Sequence, residues 1–160
     1  MSAPATTGPY SGGCQCGAVR FRAARLGRAT ICHCRMCQKA FGAFYGPLVT
    51  AEGVEWTRGE PSYFHSSDKV KRGFCSACGT PLTFEAEGGI DLAIGAFDDP
   101  RVAEPTLQVN PADKLPFVDR IPGLPTRLPG TEPLADAFVN GVQSRQHPHH
   151  DTSFWGSRTP

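Results

Sequence analysis

The sequence predicts a single mainly-β domain built from short antiparallel strands, and three observations carry that reading. Glycine and proline, 18 and 15 of the 160 residues, make up about a fifth of the chain, a composition of many turns and little long helix. Val19, Phe21 and Ala23 alternate with Arg20 and Arg22, the period-two pattern of a half-buried strand. Apolar runs of strand length recur as far as residue 97, several bounded by Gly, Pro or Asp, the residues that turns require. A chain of this length buries roughly two thirds of its unfolded surface on folding, so a core needs no external staple.

Taken in order, residues 1–10 read as a flexible, Pro/Thr-rich lead-in. After the alternating stretch at 19–23, further strands are expected at 29–32, 44–50, 53–57, 62–65, 70–75, 82–86 and 90–95. One helical turn is expected at 35–41. Residues 105–133 carry seven prolines, each of which removes a ladder donor and stops a helix. That segment is expected to be extended and draped over the sheets, pinned by Leu115, Phe117, Ile121 and Leu124. A short helix is expected at 134–145, with Leu134, Phe138 and Val142 on one side. The domain then spans 11–145, with a core at 11–97 and a wrapping segment at 98–145, and residues 146–160 read as a flexible tail.

Charge and hydropathy narrow the partners. A formal net charge of +1 gives no broad attraction for nucleic acid or an anionic membrane. No apolar run approaches the roughly 18–20 residues that span a bilayer. The first ten residues lack the basic start and apolar centre of a secretory signal, so a cytoplasmic protein is expected.

Seven cysteines take their meaning from that compartment. Disulfides are disfavoured there and an odd number cannot pair fully, so metal ligation or thiol chemistry is the leading explanation. The thiols fall into three groups: Cys14 and Cys16 after Gly12-Gly13, then Cys32, Cys34 and Cys37, then Cys75 and Cys78 before Gly79-Thr80-Pro81. Each is a tight turn that brings thiols to one point, and the glycines beside the first and third groups let backbone amides face the sulfurs. Zinc accepts tetrahedral thiolate ligation without redox change. Seven ligands divide most simply into four and three. Cys14, Cys16, Cys75 and Cys78 can close one site, leaving the trio for a second. Spacing alone does not force this partition, since Cys75 and Cys78 can equally join two of the trio. An iron–sulfur cluster is the main alternative metal centre, but its four-cysteine runs are spaced differently.

The motifs GGCQCGAVRF at 12–21, CHCRMC at 32–37 and FCSACGTPL at 74–82 resemble, in this order, those of the glutathione-dependent formaldehyde-activating enzyme family, which also includes centromere protein V. The resemblance spans 11–97 closely and 114–129 more loosely. It implies a zinc-bearing β-tent of small coiled antiparallel sheets. It also implies the partition: Cys14, Cys16, Cys75 and Cys78 as ligands of a structural zinc, and Cys32, Cys34 and Cys37 as ligands of a second, catalytic zinc with an open fourth position. The activity it implies is a carbon–sulfur lyase reaction in which glutathione and formaldehyde form S-(hydroxymethyl)glutathione.

With three thiolates the second site has a net charge near −1, and a thiol held there is a thiolate at neutral pH. Such a sulfur can attack the carbonyl carbon of formaldehyde, or leave in the reverse cleavage. His33, His65, His147, His149 and His150 are the histidines that would close the site if they reached it. Arg35, Lys39, Lys69, Lys71 and Arg72 offer cations to the carboxylates of a thiol such as glutathione, and Phe41, Phe44 and Tyr45 are candidate pocket walls. The competing reading is a non-catalytic zinc module that binds a protein partner. A redox pair at Cys75/Cys78 fails if those thiols hold zinc.

Overall fold

The computed structural model describes residues 6–156. Among the described residues, nine strands and two short α-helices follow in chain order: β1 (Thr6–Gly13), β2 (Arg20–Cys32), α1 (Arg35–Phe41), β3 (Gly46–Glu52), β4 (Glu55–Arg58), β5 (Ser62–His65), β6 (Val70–Phe74), β7 (Pro81–Ala86), β8 (Gly89–Ala93), β9 (Leu107–Val109) and α2 (Pro133–Gly141). The strands form one sheet with the order β1-β2-β3-β8-β7-β6-β5, and β4 and β9 add to β2. All pairs are antiparallel except β2 with β9, so the mainly antiparallel β architecture is as expected.

The long strand β2 organises the sheet. Its first half pairs with β1 on one edge and with β4 on the other. Its second half pairs with β3 and then receives β9. The expected strands at 19–23 and 29–32 are therefore one strand, carried through a register irregularity between Leu26 and Ala29.

The alternation at 19–23 sets the core. Val19, Phe21 and Ala23 are buried, and the Phe21 ring meets Phe97 and Trp56 edge-on at centroid distances of 5.2 and 6.0 Å, a favoured aromatic arrangement. Val49, Leu82 and Leu92 complete this core with Cys14 and Cys75. Gly12 is required beneath it, because a Cβ there would run into the Phe21 ring and the Ala96 carbonyl. Arg20 breaks the alternation by being buried. Its guanidinium makes a two-point pair with Asp98 at 2.8 and 2.6 Å, and Ser11 donates to the same carboxylate at 2.6 Å. A buried charge is tolerated only when paired in this way.

Several expectations are corrected. Residues 6–10 are not a loose lead-in, because their backbone pairs with β2, Thr6 opposite Leu26 and Tyr10 opposite Ala23; residues 1–5 lie outside the described residues. The proline-rich segment contains β9 and two short 3-10 turns, Pro111–Asp113 and Val118–Gly123. Phe117 packs edge-on against Phe44 at 5.0 Å, whereas Leu124 is exposed and pins nothing. Helix α2 stops at Gly141, and Leu134, Phe138 and Val142 all stay exposed. Residues 147–155 are not a free tail: their side chains and backbone dock on the β1–β2 turn and the strands beside it. The rest of that expectation, residues 157–160, lies outside the described residues. No helix among the described residues is long and apolar enough to cross a membrane.

Replacing Phe21 by Ala removes the ring that Phe97 and Trp56 share. The expected loss is about 3–5 kcal/mol, read as a lower midpoint in urea unfolding.

Candidate metal centres

Two turns from distant parts of the sheet meet. The β1–β2 turn carries Cys14 and Cys16, and the β6–β7 turn carries Cys75 and Cys78. These strand pairs are separated by β3 and β8 in the sheet order, yet the four sulfurs lie within 4.8 Å of one another. Cys14 Sγ is 3.6 Å from Cys16 Sγ, and Cys16 Sγ is 3.8 Å from Cys75 Sγ. A disulfide needs about 2.05 Å, and all seven cysteines are free. Four sulfurs placed tetrahedrally around zinc, with Zn–S bonds of about 2.3 Å, are about 3.8 Å apart. The quartet thus fits a tetrahedral thiolate-bound ion.

The turns are built to aim sulfurs inward. Each closes on a left-handed glycine: Gly17 at φ 77° donates to the Cys14 carbonyl at 3.1 Å, and Gly79 at φ 76° donates to the Cys75 carbonyl at 2.8 Å. The Val19 amide donates to Cys14 Sγ at 3.2 Å. Thr80, to which the sequence assigned no role beyond following the motif, ties the turns together. Its hydroxyl accepts from the Gln15 amide at 3.0 Å and lies 3.1 Å from Cys78 Sγ. Burial pushes the Cys78 thiol up, but hydrogen bonds from the Thr80 hydroxyl and amide and from Cys16 outweigh it and hold the thiol down to about 6. Burial drives Cys14 far the other way.

The trio occupies the junction of β2 and α1. Cys32 ends β2, Cys34 caps α1, and Cys37 is buried within the helix. Their sulfurs also lie within 4.8 Å of one another. Each sulfur receives a donor from a different place. Asn110 Nδ2 lies 3.7 Å from Cys32, the Cys37 amide 3.4 Å from Cys34, and Arg72 Nη2 3.5 Å from Cys37. Burial pushes the Cys37 thiol up to about 12 against the pull of Arg72. Burial also raises Cys34, but the Cys37 amide and the neighbouring thiols more than reverse it.

Among the described residues no histidine or carboxylate joins either group. His33 is buried next to the trio in sequence, but its Nε2 bonds the Gln108 side-chain oxygen at 2.8 Å and its ring edge meets Tyr45. Of the five cations singled out in the sequence, Arg72 touches the trio. With Arg35 and Lys39 it lines a pocket of about 390 Å³ that Met36 and Phe64 also wall. Lys71 is instead paired with Glu85 at 3.0 Å and stacked on Tyr63, and Lys69 borders a separate hollow beside His65. Phe41 packs against the cores under both clusters.

The C-terminal segment clasps the first turn. His147 N donates to the Gln15 carbonyl at 2.8 Å, Trp155 Nε1 to the Cys16 carbonyl at 2.8 Å, and Arg58 Nη1 to the Gly17 carbonyl at 3.2 Å. Three successive carbonyls of a cysteine-bearing turn are satisfied from outside it. Arg58 also holds the Thr152 carbonyl at 2.5 Å, and Asp151 pairs with Arg20 and Arg22. A Cβ at Gly17 would run into the His147 and Trp155 rings. No local pattern signals this clasp, because its partners are some 90–140 positions apart.

The family model described as glutathione-dependent formaldehyde-activating enzyme matches residues 9–112, and the chain belongs to that family. A crystal structure of a Rhodobacter sphaeroides protein is 20% identical, with a TM-score of 0.49, over 62% of this chain and 99% of that chain. No curated protein matches. The clasp at 147–155 lies beyond the family match.

In the metal-free chain, iodoacetamide should label Cys78 with a rate that rises through about pH 6, because the thiolate is the nucleophile and its population grows as pH passes the thiol's depressed value. Cys37 should stay unlabelled across that range, and peptide mapping against pH separates the two. Replacing Arg58 with Ala should cost about 1–3 kcal/mol through the carbonyls it leaves unsatisfied. Limited proteolysis should then cut within 147–155 at enzyme concentrations that spare the parent chain.

Proposed function

We propose that this chain is a two-zinc carbon–sulfur lyase acting on a thiol adduct, with glutathione and formaldehyde as the leading substrate pair. In this reading Cys14, Cys16, Cys75 and Cys78 hold a structural zinc, and Cys32, Cys34 and Cys37 hold a second, catalytic zinc. The zinc domain of this reading takes in β1 from Thr6 and the docked segment to Trp155. The observation that carries the proposal is the ligand count: a closed quartet and a separate trio one ligand short, within a chain of a glutathione-dependent formaldehyde-activating family. Structural zinc sites have four protein ligands, whereas catalytic sites keep one position for an exchangeable group. Seven free cysteines also suit a reducing compartment, which supports a cytoplasmic setting.

Zinc bound at the trio would supply a position where an incoming thiol is held as a thiolate. The chain's own part is to hold three sulfurs in register and to receive the rest of the substrate. Asn110, the Cys37 amide and Arg72 fix the sulfurs through one hydrogen bond each. The pocket lined by Arg35, Lys39 and Arg72 offers cations for substrate carboxylates, and Met36 and Phe64 offer apolar surface. Burial of Cys37 limits water at its sulfur.

Two measurements test the reading. Elemental analysis should find two zinc ions per chain, and Cys34→Ser should retain one. Exchange NMR on formaldehyde and glutathione should show faster interconversion with their adduct when the parent chain is present. Two inert ions with no acceleration above the metal-free control would sink the lyase and favour the partner-binding module.

A further inference from the structure

Arg72 is placed where a cation is costly. Its residue is 7% exposed, and among the described residues no carboxylate pairs with it. Its contacts are Ser66 Oγ at 3.1 Å from Nε, Cys37 Sγ at 3.5 Å from Nη2, and the ring of Phe84, whose centroid lies 5.1 Å from the guanidinium carbon. Phe84 is its cross-strand neighbour on β7. A buried charge with only neutral partners is unfavourable unless an anion lies close by. The candidate anion is the sulfur cluster itself.

Three thiolates around one divalent ion leave a net charge of −1. The other two donors to the trio, Asn110 Nδ2 and the Cys37 amide, are neutral. We infer that Arg72 is the positioning residue of the trio, neutralising the loaded site and fixing the Cys37 sulfur. The inference rests on the reading that Cys32, Cys34 and Cys37 hold zinc. The planar guanidinium suits the role because it directs Nε and Nη2 to two partners while its carbon lies over the Phe84 ring. Lysine has the charge but not the fork. The same β6–β7 hairpin carries Cys75 and Cys78 in its turn, so one hairpin serves both clusters.

The test is a metal competition titration on the full chain, comparing the parent with Arg72→Met and Arg72→Lys. Cobalt serves as the spectroscopic probe, and circular dichroism serves as the fold control. Arg72→Met should weaken the ion at the trio by roughly 10–100-fold, the usual effect of removing an outer partner of a ligand, while the quartet ion is retained. Its sulfur-to-cobalt charge-transfer band should move to longer wavelength, because the Cys37 lone pairs lose a cationic donor. Arg72→Lys should recover part of the affinity. Parent affinity and an unshifted band in Arg72→Met overturn the inference, as does equal weakening of both ions, which marks a purely structural role. Failure of the parent to bind a second ion sinks the underlying reading and the inference with it. Two ions in the parent with an unaffected Arg72→Met variant sink the inference alone.

Discussion

Four sulfurs from two turns meet in one place, and much of the remaining structure follows from that meeting. The β1–β2 turn and the β6–β7 turn are separated by two intervening strands in the sheet, so bringing Cys14 and Cys16 within 4.8 Å of Cys75 and Cys78 requires the sheet to bend back on itself. The bend places Phe21 against Phe97 and buries Leu82 and Leu92 beside the thiols. Thiol clustering and apolar burial are therefore coupled here. Cys14 and Cys75 are members of the main core, and an ion at the quartet would link the two ends of the sheet across it. Binding free energy at such a site is also folding free energy.

Polar groups enclosed by the bend are matched one by one. Arg20 is paired with Asp98 and Asp151, the carbonyls of Gln15, Cys16 and Gly17 are capped from the C-terminal segment and Arg58, and the Thr80 hydroxyl bridges the two turns. This is the arrangement expected when backbone groups of a tight turn are partly removed from water. The C-terminal clasp thus acts on the geometry of the quartet. The trio instead depends on Asn110, Arg72 and its own helix. The two clusters thus draw on different outer segments, the C-terminal clasp for the quartet and Asn110 for the trio, while the β6–β7 hairpin contributes to both.

The trio also shows how a short helix can carry clustered thiols. Arg35–Phe41 has seven residues, too few for stability on its own. Gly42, at φ 57°, closes its C-terminus through bonds to Gln38 and Lys39 carbonyls. The Gln38 side chain donates to the His33 and Asp113 carbonyls, stapling the helix to the incoming strand and to the proline-rich segment. That segment therefore has a positioning role, supplying Asn110 and the Asp113 carbonyl to the site rather than merely covering the sheet.

The sequence alone determined the mainly-β class, the Arg35–Phe41 helix, most strand positions from β3 to β8, and the three cysteine groups. Each depends on local signals: period-two alternation, turn residues, and ligands spaced for one tight turn. What sequence spacing left open was which groups share a cluster, and that is settled by sheet order. β1 and β9 escaped the reading because glycine- and proline-rich stretches have little strand preference of their own and pair only because β2 offers free edges. Burial of Arg20, the contact of Arg72 with Cys37 and the clasp by residues 147–155 were likewise invisible. Each joins groups tens of positions apart, up to 139 for Trp155 and Cys16. Local chemistry set the cysteine groups, and only the bent sheet decided which of them meet, because distances between strands are fixed by pairing and not by position along the chain.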